Sequence, residues 1–423
     1  MFFDPGRRPW IALLLLLAVF AAFYFTVRQA EEREVELPLR GLLLTAAALR
    51  LLLVPLPASL SDDTLRYLWD GRVLAAGFDP YRLAPDDERL APLRDAGWEA
   101  MPHREVPTVY PPLAQALFVV AARLPAPFFS LKILLSAIDL LGCFLLFRLA
   151  ASLSLLRARV LFYAWNPLVA LETAGMGHLD AMMAALAVAA VWLLASGRVG
   201  RAALAAAGAV AVKLLPLIVL PIWLRRSGRP WLFGGVAFLA LAAVFLPLFA
   251  ASGGPPPGLL IYAERWEFNG PLFEPLWRLI DRLDLVPRVK LGLDRLETFG
   301  GWQLDPYYRL VYPQLLAKLC LATGLCCFLL RLLLRPPPPA IAFGRAFGAF
   351  ILCSATVYPW YLVGLLPFAA LCRRRSWLVA SGLLPLAYLP RLFPGLVLYP
   401  YIHLLIWLPI CLLLLREEPW SFD

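Results

Sequence analysis

The amino-acid sequence predicts an all-α polytopic membrane protein with about 11–13 transmembrane segments. Three observations predict it. Of the 423 residues, 61% are hydrophobic and only 16% charged, whereas soluble domains are roughly half apolar and a quarter charged. Apolar runs of roughly 18 or more residues recur with almost no charge in them. The arginines behind the net charge of +10 collect in short loops between those runs. That is how cytoplasmic loops are marked, so the basic balance needs no nucleic acid as partner.

Trp10–Val27 is the first expected crossing. It follows Arg7 and Arg8, but its apolar run is too long for a signal peptide, so it is read as a retained helix. The basic loops Leu155–Arg159, Arg198–Arg201, Arg225–Arg229, Arg331–Arg335 and Cys372–Arg375 are assigned to the inside. Two long polar segments, Ala58–Tyr110 and Ala251–Arg309, are assigned to the outside. The resulting alternation places the N-terminus outside. Arg7 and Arg8 oppose this, but the loop Arg28–Arg40 that follows carries three arginines and four glutamates, so the local charge signal is weak and the later loops decide.

Parity then constrains two stretches. Between Tyr110 and the loop at Leu155 only one run can cross. Pro112–Leu124 would be roughly 20 Å long as a helix, too short for a core of about 30 Å. It is expected to lie at the outer interface, extending the first outer segment to 58–127, while Phe128–Ala150 crosses. Ala202–Leu224 joins two inside loops, so it is expected as two half-helices broken at "VKLLP" (Val212–Pro216). Such breaks at membrane depth occur where they line a cavity or are buried in protein. The remaining expected crossings are Val160–Gly175, Gly177–Ser196, Pro230–Ala250, Leu310–Leu334, Ile341–Val357, Tyr361–Leu371, Trp377–Leu389 and Leu396–Leu415. The seven cysteines lie in apolar runs without CxxC spacing, so they are read as small core residues.

Charge in so apolar a chain needs a reason. "SDDTLRYLWDGR" (Ser61–Arg72) follows the second apolar run and begins the first outer segment. Asp62 or Asp63 could take a proton from a hydroxyl group; both also suit the start of a helix capped by Ser61. Arg66 and Asp70 have the spacing of a helical ion pair. "WNPLVALETAGMGHLDAMM" places Glu172, His178 and Asp180 in or beside short crossings. Ionisable groups there are costly and become functional candidates, although a buried polar tie between helices is the competing reading. Lys213 stands at the break of the half-helices, where an ammonium could meet a phosphate or snorkel to the surface. Tyr358 and Trp360, in "VYPWYLVGLLPF", form either an interfacial aromatic belt or a platform for sugar or lipid. His103 and His403 are read as incidental, and no set of metal ligands is apparent.

Taken together, "SDDTLRYLWDGRVLAAGFDPYRLAP", "YPPL", "NPLVALETAGMGHLDAMM", "VKLLPLIVLPIWLRR" and "YPWYLVGLLPF" resemble the GT-C membrane glycosyltransferases that use polyprenyl-phosphate sugars. The likeness is closest to glycosyltransferase family 87 and the related polyprenol-phosphomannose-dependent mannosyltransferases. It covers about Ser61 to Phe368 in the family's order. The resemblance implies a catalytic carboxylate in the first outer loop, by position Asp62 or Asp63, with Asp63 favoured. It implies inverting transfer of a sugar, mannose by resemblance, to an acceptor hydroxyl. Some relatives carry a phosphate-binding lysine where Tyr110 stands, so Lys213 or Arg66 is expected to supply that charge. The expected partners are a polyprenyl-phosphate sugar donor, a glycan or glycolipid acceptor and membrane lipid. No cofactor is expected, since the lipid-phosphate sugar is a substrate; a divalent metal is left open. The expected place is a bacterial plasma membrane with the site facing the extracytoplasmic side. The alternative is a transporter or flippase of lipid-linked sugars.

Overall fold

A computed structural model describes residues 8–252, 254–301, 308 and 311–422; Arg7 and residues 302–307, 309 and 310 lie outside them. Prolines set many helix starts, because the first helical turn has no use for their missing N–H. The chain opens with α1 (Pro9–Glu32) and α2 (Leu39–Leu53). The first polar segment forms α3 (Asp63–Ala75), α4 (Ala96–Ala100) and α5 (Pro112–Arg123). Then come α6 (Pro127–Ser152), the short α7 (Leu161–Ala164) and α8 (Pro167–Ala170), α9 (Asp180–Ala195), α10 (Val199–Val212), α11 (Leu220–Arg226) and α12 (Pro230–Ser252). The second polar segment forms α13 (Pro257–Arg265), α14 (Phe273–Arg282) and α15 (Leu285–Gly300). The chain closes with α16 (Pro313–Leu334), α17 (Pro339–Cys353), α18 (Leu366–Leu371), α19 (Arg375–Leu383), α20 (Leu389–Leu392) and α21 (His403–Arg416). Among the described residues there is no β-strand, only isolated bridge pairs of Phe268 and Asn269 with Thr356.

This is an all-α polytopic membrane protein. Five described helical stretches are long and apolar enough to cross a membrane unaided, and a sixth would be the bent pair Pro167–Gly175 and Asp180–Ala195. The other expected crossings are built from shorter pieces. Pro359, Pro367, Pro385 and Pro390 each start a new helical turn in the last third of the chain, since proline cannot continue the hydrogen-bond ladder before it. The core forms where small side chains let helices approach: Gly142 of α6 faces Ala185 of α9, and α10 brings its alanine face against α9. Of the cysteines, Cys143 and Cys372 are buried as expected, but Cys320, Cys326 and Cys327 are exposed on α16. An apolar helix facing lipid needs no packed core around every small residue.

The break at "VKLLP" is present. α10 ends at Val212, Lys213 is extended, and a 3₁₀ turn, Leu215–Val219, leads into α11. α5 is 12 residues long and packs chiefly against α3, with further contacts to α6 and α10. Tyr67 stacks on Phe118 at 4.5 Å between ring centroids. Gly71 sits so close that a Cβ there would be 2.3 Å from the Phe118 carbonyl oxygen. Gly71→Ala is therefore expected to push α3 off α5, lowering stability by about 1–3 kcal/mol. A detergent melting curve indistinguishable from the parent's would refute that packing argument.

Candidate functional site

Local chemistry sets the direction of α3. Its first residue is Asp63, whose N–H lies 3.3 Å from Ser61 Oγ. Thr64 Oγ1 donates to the Met176 carbonyl at 2.5 Å, which anchors α3 to the bend between α8 and α9. That bend has a physical origin: Leu171–Gly175 is a π-helical turn and Gly177 has φ +79°, a left-handed conformation that costs glycine nothing. Buried Asp70 accepts from Arg66 Nε, Thr108 Oγ1 and Gln115 Nε2 at 2.8, 2.5 and 3.3 Å. The first polar segment is thereby tied to itself.

A cavity of about 740 Å³ opens at the head of α3. Of the residues singled out from sequence, Asp62, Asp63, Arg66, Tyr110, Asp180, Lys213, Tyr358 and Trp360 line it. His178 and Glu172 stand behind its wall. The His178 ring stacks on Trp360 at 3.9 Å, and Trp360 stacks on Tyr358 at 4.4 Å. His178 Nδ1 is 2.8 Å from Glu172 Oε2, and its Nε2 is 3.0 Å from Ser61 Oγ and 3.9 Å from Asp63 Oδ2. Tyr388 Oη donates to both Glu172 oxygens at 2.9 and 3.1 Å. Lys213 is not free at its break: its Nζ pairs with Asp180 Oδ1 at 2.5 Å and lies over the Tyr361 ring. Beside it the wall turns apolar, with Leu214, Leu215, Ile218 and Phe350.

The two adjacent aspartates differ sharply. Asp62 is forked by Arg391, whose Nη1 and Nη2 donate to its two oxygens at 2.8 and 2.6 Å. Among the described residues Asp63 has one side-chain hydrogen bond, from Tyr67 Oη at 3.3 Å, and its side chain is 34% exposed, toward the cavity. Withdrawal from water pushes its carboxyl above the usual aspartate range, against the opposing pull of His178 and Lys213. A carboxylate with spare acceptor capacity and raised basicity is equipped to take a proton. Arg66 completes the inventory: its Nη2 is buried on the cavity wall without a hydrogen-bond partner among the described residues. Among the described residues, no group of three or more His, Cys, Asp or Glu could hold a metal ion.

A family model described as alpha-(1->6)-mannopyranosyltransferase, N-terminal domain, matches residues 6–226, just over half of the chain. The chain belongs to the MptA_B family. It is thus a membrane glycosyltransferase acting on mannose, in agreement with the GT-C resemblance of its motifs. No curated protein matches it. In this MptA_B family member the matched region supplies both aspartates, Arg66, Tyr110, Glu172, His178, Asp180 and Lys213. Other wall residues come from beyond residue 226, Tyr262, Trp266, Tyr358, Trp360 and Arg391 among them. Tyr262, Trp266, Tyr388 and Arg391 were not singled out by sequence reasoning, and neither was His103 as a wall residue. Only the clustering of aromatics after Pro257 could have pointed to Tyr262 and Trp266. His403, by contrast, is a buried tie to the Gly270 carbonyl.

Proposed function

We propose that this MptA_B family member transfers mannose from a polyprenyl-phosphate donor to an acceptor hydroxyl, with Asp63 as general base. The observation that carries the reading is the asymmetry of the carboxylates: both line the cavity, but both oxygens of Asp62 are taken by Arg391, while Asp63 keeps acceptor capacity and raised basicity. The acceptor oxygen attacks the anomeric carbon, its proton passes to Asp63, and the bond to the phosphate oxygen breaks. A single displacement inverts the anomeric centre, so an α-linked product requires a β-linked donor. The apolar wall beside Lys213 suits the lipid, and Lys213 and Arg66 suit the departing phosphate. The stacked faces of Tyr358 and Trp360 suit the apolar side of a sugar. The acceptor is a glycan or glycolipid, no cofactor takes part, and the polar segments face the extracytoplasmic side of a bacterial plasma membrane.

The test supplies purified protein in detergent with polyprenyl-phosphomannose and a set of mannoside acceptors. A new α-mannosyl product is expected. Transfer only from a nucleotide sugar would overturn the reading, as would movement of the lipid across a bilayer without transfer. The orphaned nitrogen of Arg66 makes a second expectation. Arg66→Lys keeps a charge for Asp70 but removes the planar fork. The donor kcat/KM should fall about tenfold, the loss of one charged hydrogen bond to the departing phosphate. An unchanged donor kcat/KM would remove Arg66 from the phosphate site.

A further inference from the structure

The segment Tyr388–Arg391 lies far outside the family-matched residues, yet it holds the site at two points. Tyr388 donates to Glu172, and Arg391, three residues on, forks Asp62. Arg391 Nε also donates to the Ser59 carbonyl at 2.8 Å. Three donors of one guanidinium thus fix both the backbone leading into α3 and the side chain preceding its first residue. Two adjacent carboxylates at one helix start would otherwise compete for the same proton and the same space. Both line the cavity here, but their partners diverge: Asp62 is held by Arg391, and Asp63 accepts from Tyr67.

We propose that Arg391 is a positioning residue that holds Asp62 out of the reaction and leaves Asp63 as the single proton acceptor. The inference rests on the reading of Asp63 as the general base. The charged and titratable groups facing Asp63 are His178 and Asp180 from the bend, Lys213 from the break after α10, and Arg391 from α20. The phenols of Tyr67, Tyr110, Tyr262, Tyr358 and Tyr388 also surround it. Within this set the Asp62–Arg391 pair is close to neutral as a unit, so it leaves Asp63 largely unbiased. Removing either member exposes the charge of the other.

The sign of each variant follows. In Arg391→Gln the attractive charge is lost and the Asp62 carboxylate is released beside Asp63. Both changes make Asp63 hold its proton more tightly. The acid limb of kcat/KM moves to higher pH: activity well below the limb falls about tenfold, while activity at high pH recovers. In Asp62→Asn the uncompensated charge of the guanidinium favours the Asp63 carboxylate, and the limb moves to lower pH. The double variant again carries a neutral pair, so its limb returns toward the parent position. The measurement is kcat/KM with polyprenyl-phosphomannose from about pH 4 to 9 for the parent and the three variants. If Arg391→Gln does not fold, the downward limb of Asp62→Asn and its reversal in the double variant carry the test. An unmoved limb overturns the inference, as does a loss uniform across pH or confined to donor KM. Transfer that survives Asp63→Asn sinks the general-base reading instead, so the two failures are distinguishable.

Discussion

Asp63→Asn is expected to lower the transfer rate by about 10²–10⁴-fold, or about 3–5 kcal/mol of barrier. Asparagine keeps the size and the contact with Tyr67 but cannot take the acceptor's proton. Asp62→Asn should stay within about tenfold of the parent at neutral pH, because an amide oxygen can still accept from Arg391. The parent's acid limb should lie above the ordinary aspartate range, since Asp63 is raised by burial and acts in its ionised form. Activity rises with pH through that limb and is lost below it. The stability sign is opposite. A carboxyl raised on folding binds its proton more tightly in the native state, so its ionisation destabilises the fold as pH rises through the shifted value. Asp63→Asn should therefore melt no lower than the parent at neutral pH. A variant that is inactive but at least as stable separates lost chemistry from lost structure; full activity would refute the assignment.

Asp139→Ala is expected to have the largest effect on stability. Arg50 of α2 and Asp139 of α6 are paired at 2.6 Å, with 1% and 0% of their side chains exposed. Arg50 Nη1 also donates to the Ala46 and Ala164 carbonyls, both at 2.9 Å, and Tyr163 Oη donates to Asp139 Oδ1 at 2.5 Å. Removing the carboxylate leaves a buried cation without its counter-charge, which costs about 3–5 kcal/mol. Tyr163→Phe removes one hydrogen bond to a charged group and should cost about 1.5–3 kcal/mol. Unfolding titrations in mixed detergent would rank the two. A cost of Asp139→Ala below about 1 kcal/mol would mean that the pair is dispensable and that the helices are held by packing alone.

Much of the fold was legible because its signals are local. Apolar run length marks the long crossings, and α5 is too short to be one whatever surrounds it. The break at Lys213 follows from a lysine and two prolines in an apolar stretch. The candidate site was legible as a list, because a charge inside an apolar chain needs a reason wherever it stands. The last third was less legible: proline-interrupted runs that look like plain crossings are chains of short helical turns.

By itself the sequence determined that this is a helical membrane protein, where its polar segments fall, and which charges needed explaining. Those depend on hydropathy and backbone sterics, which each residue carries with it. Only the tertiary structure decided which aspartate is held by an arginine. That choice rests on Arg391, 329 positions from Asp62, and the setting of His178 rests on Tyr388, 216 positions from Glu172. Hydrogen bonds over such separations leave no spacing in the sequence, because their geometry exists only once the helices between have packed.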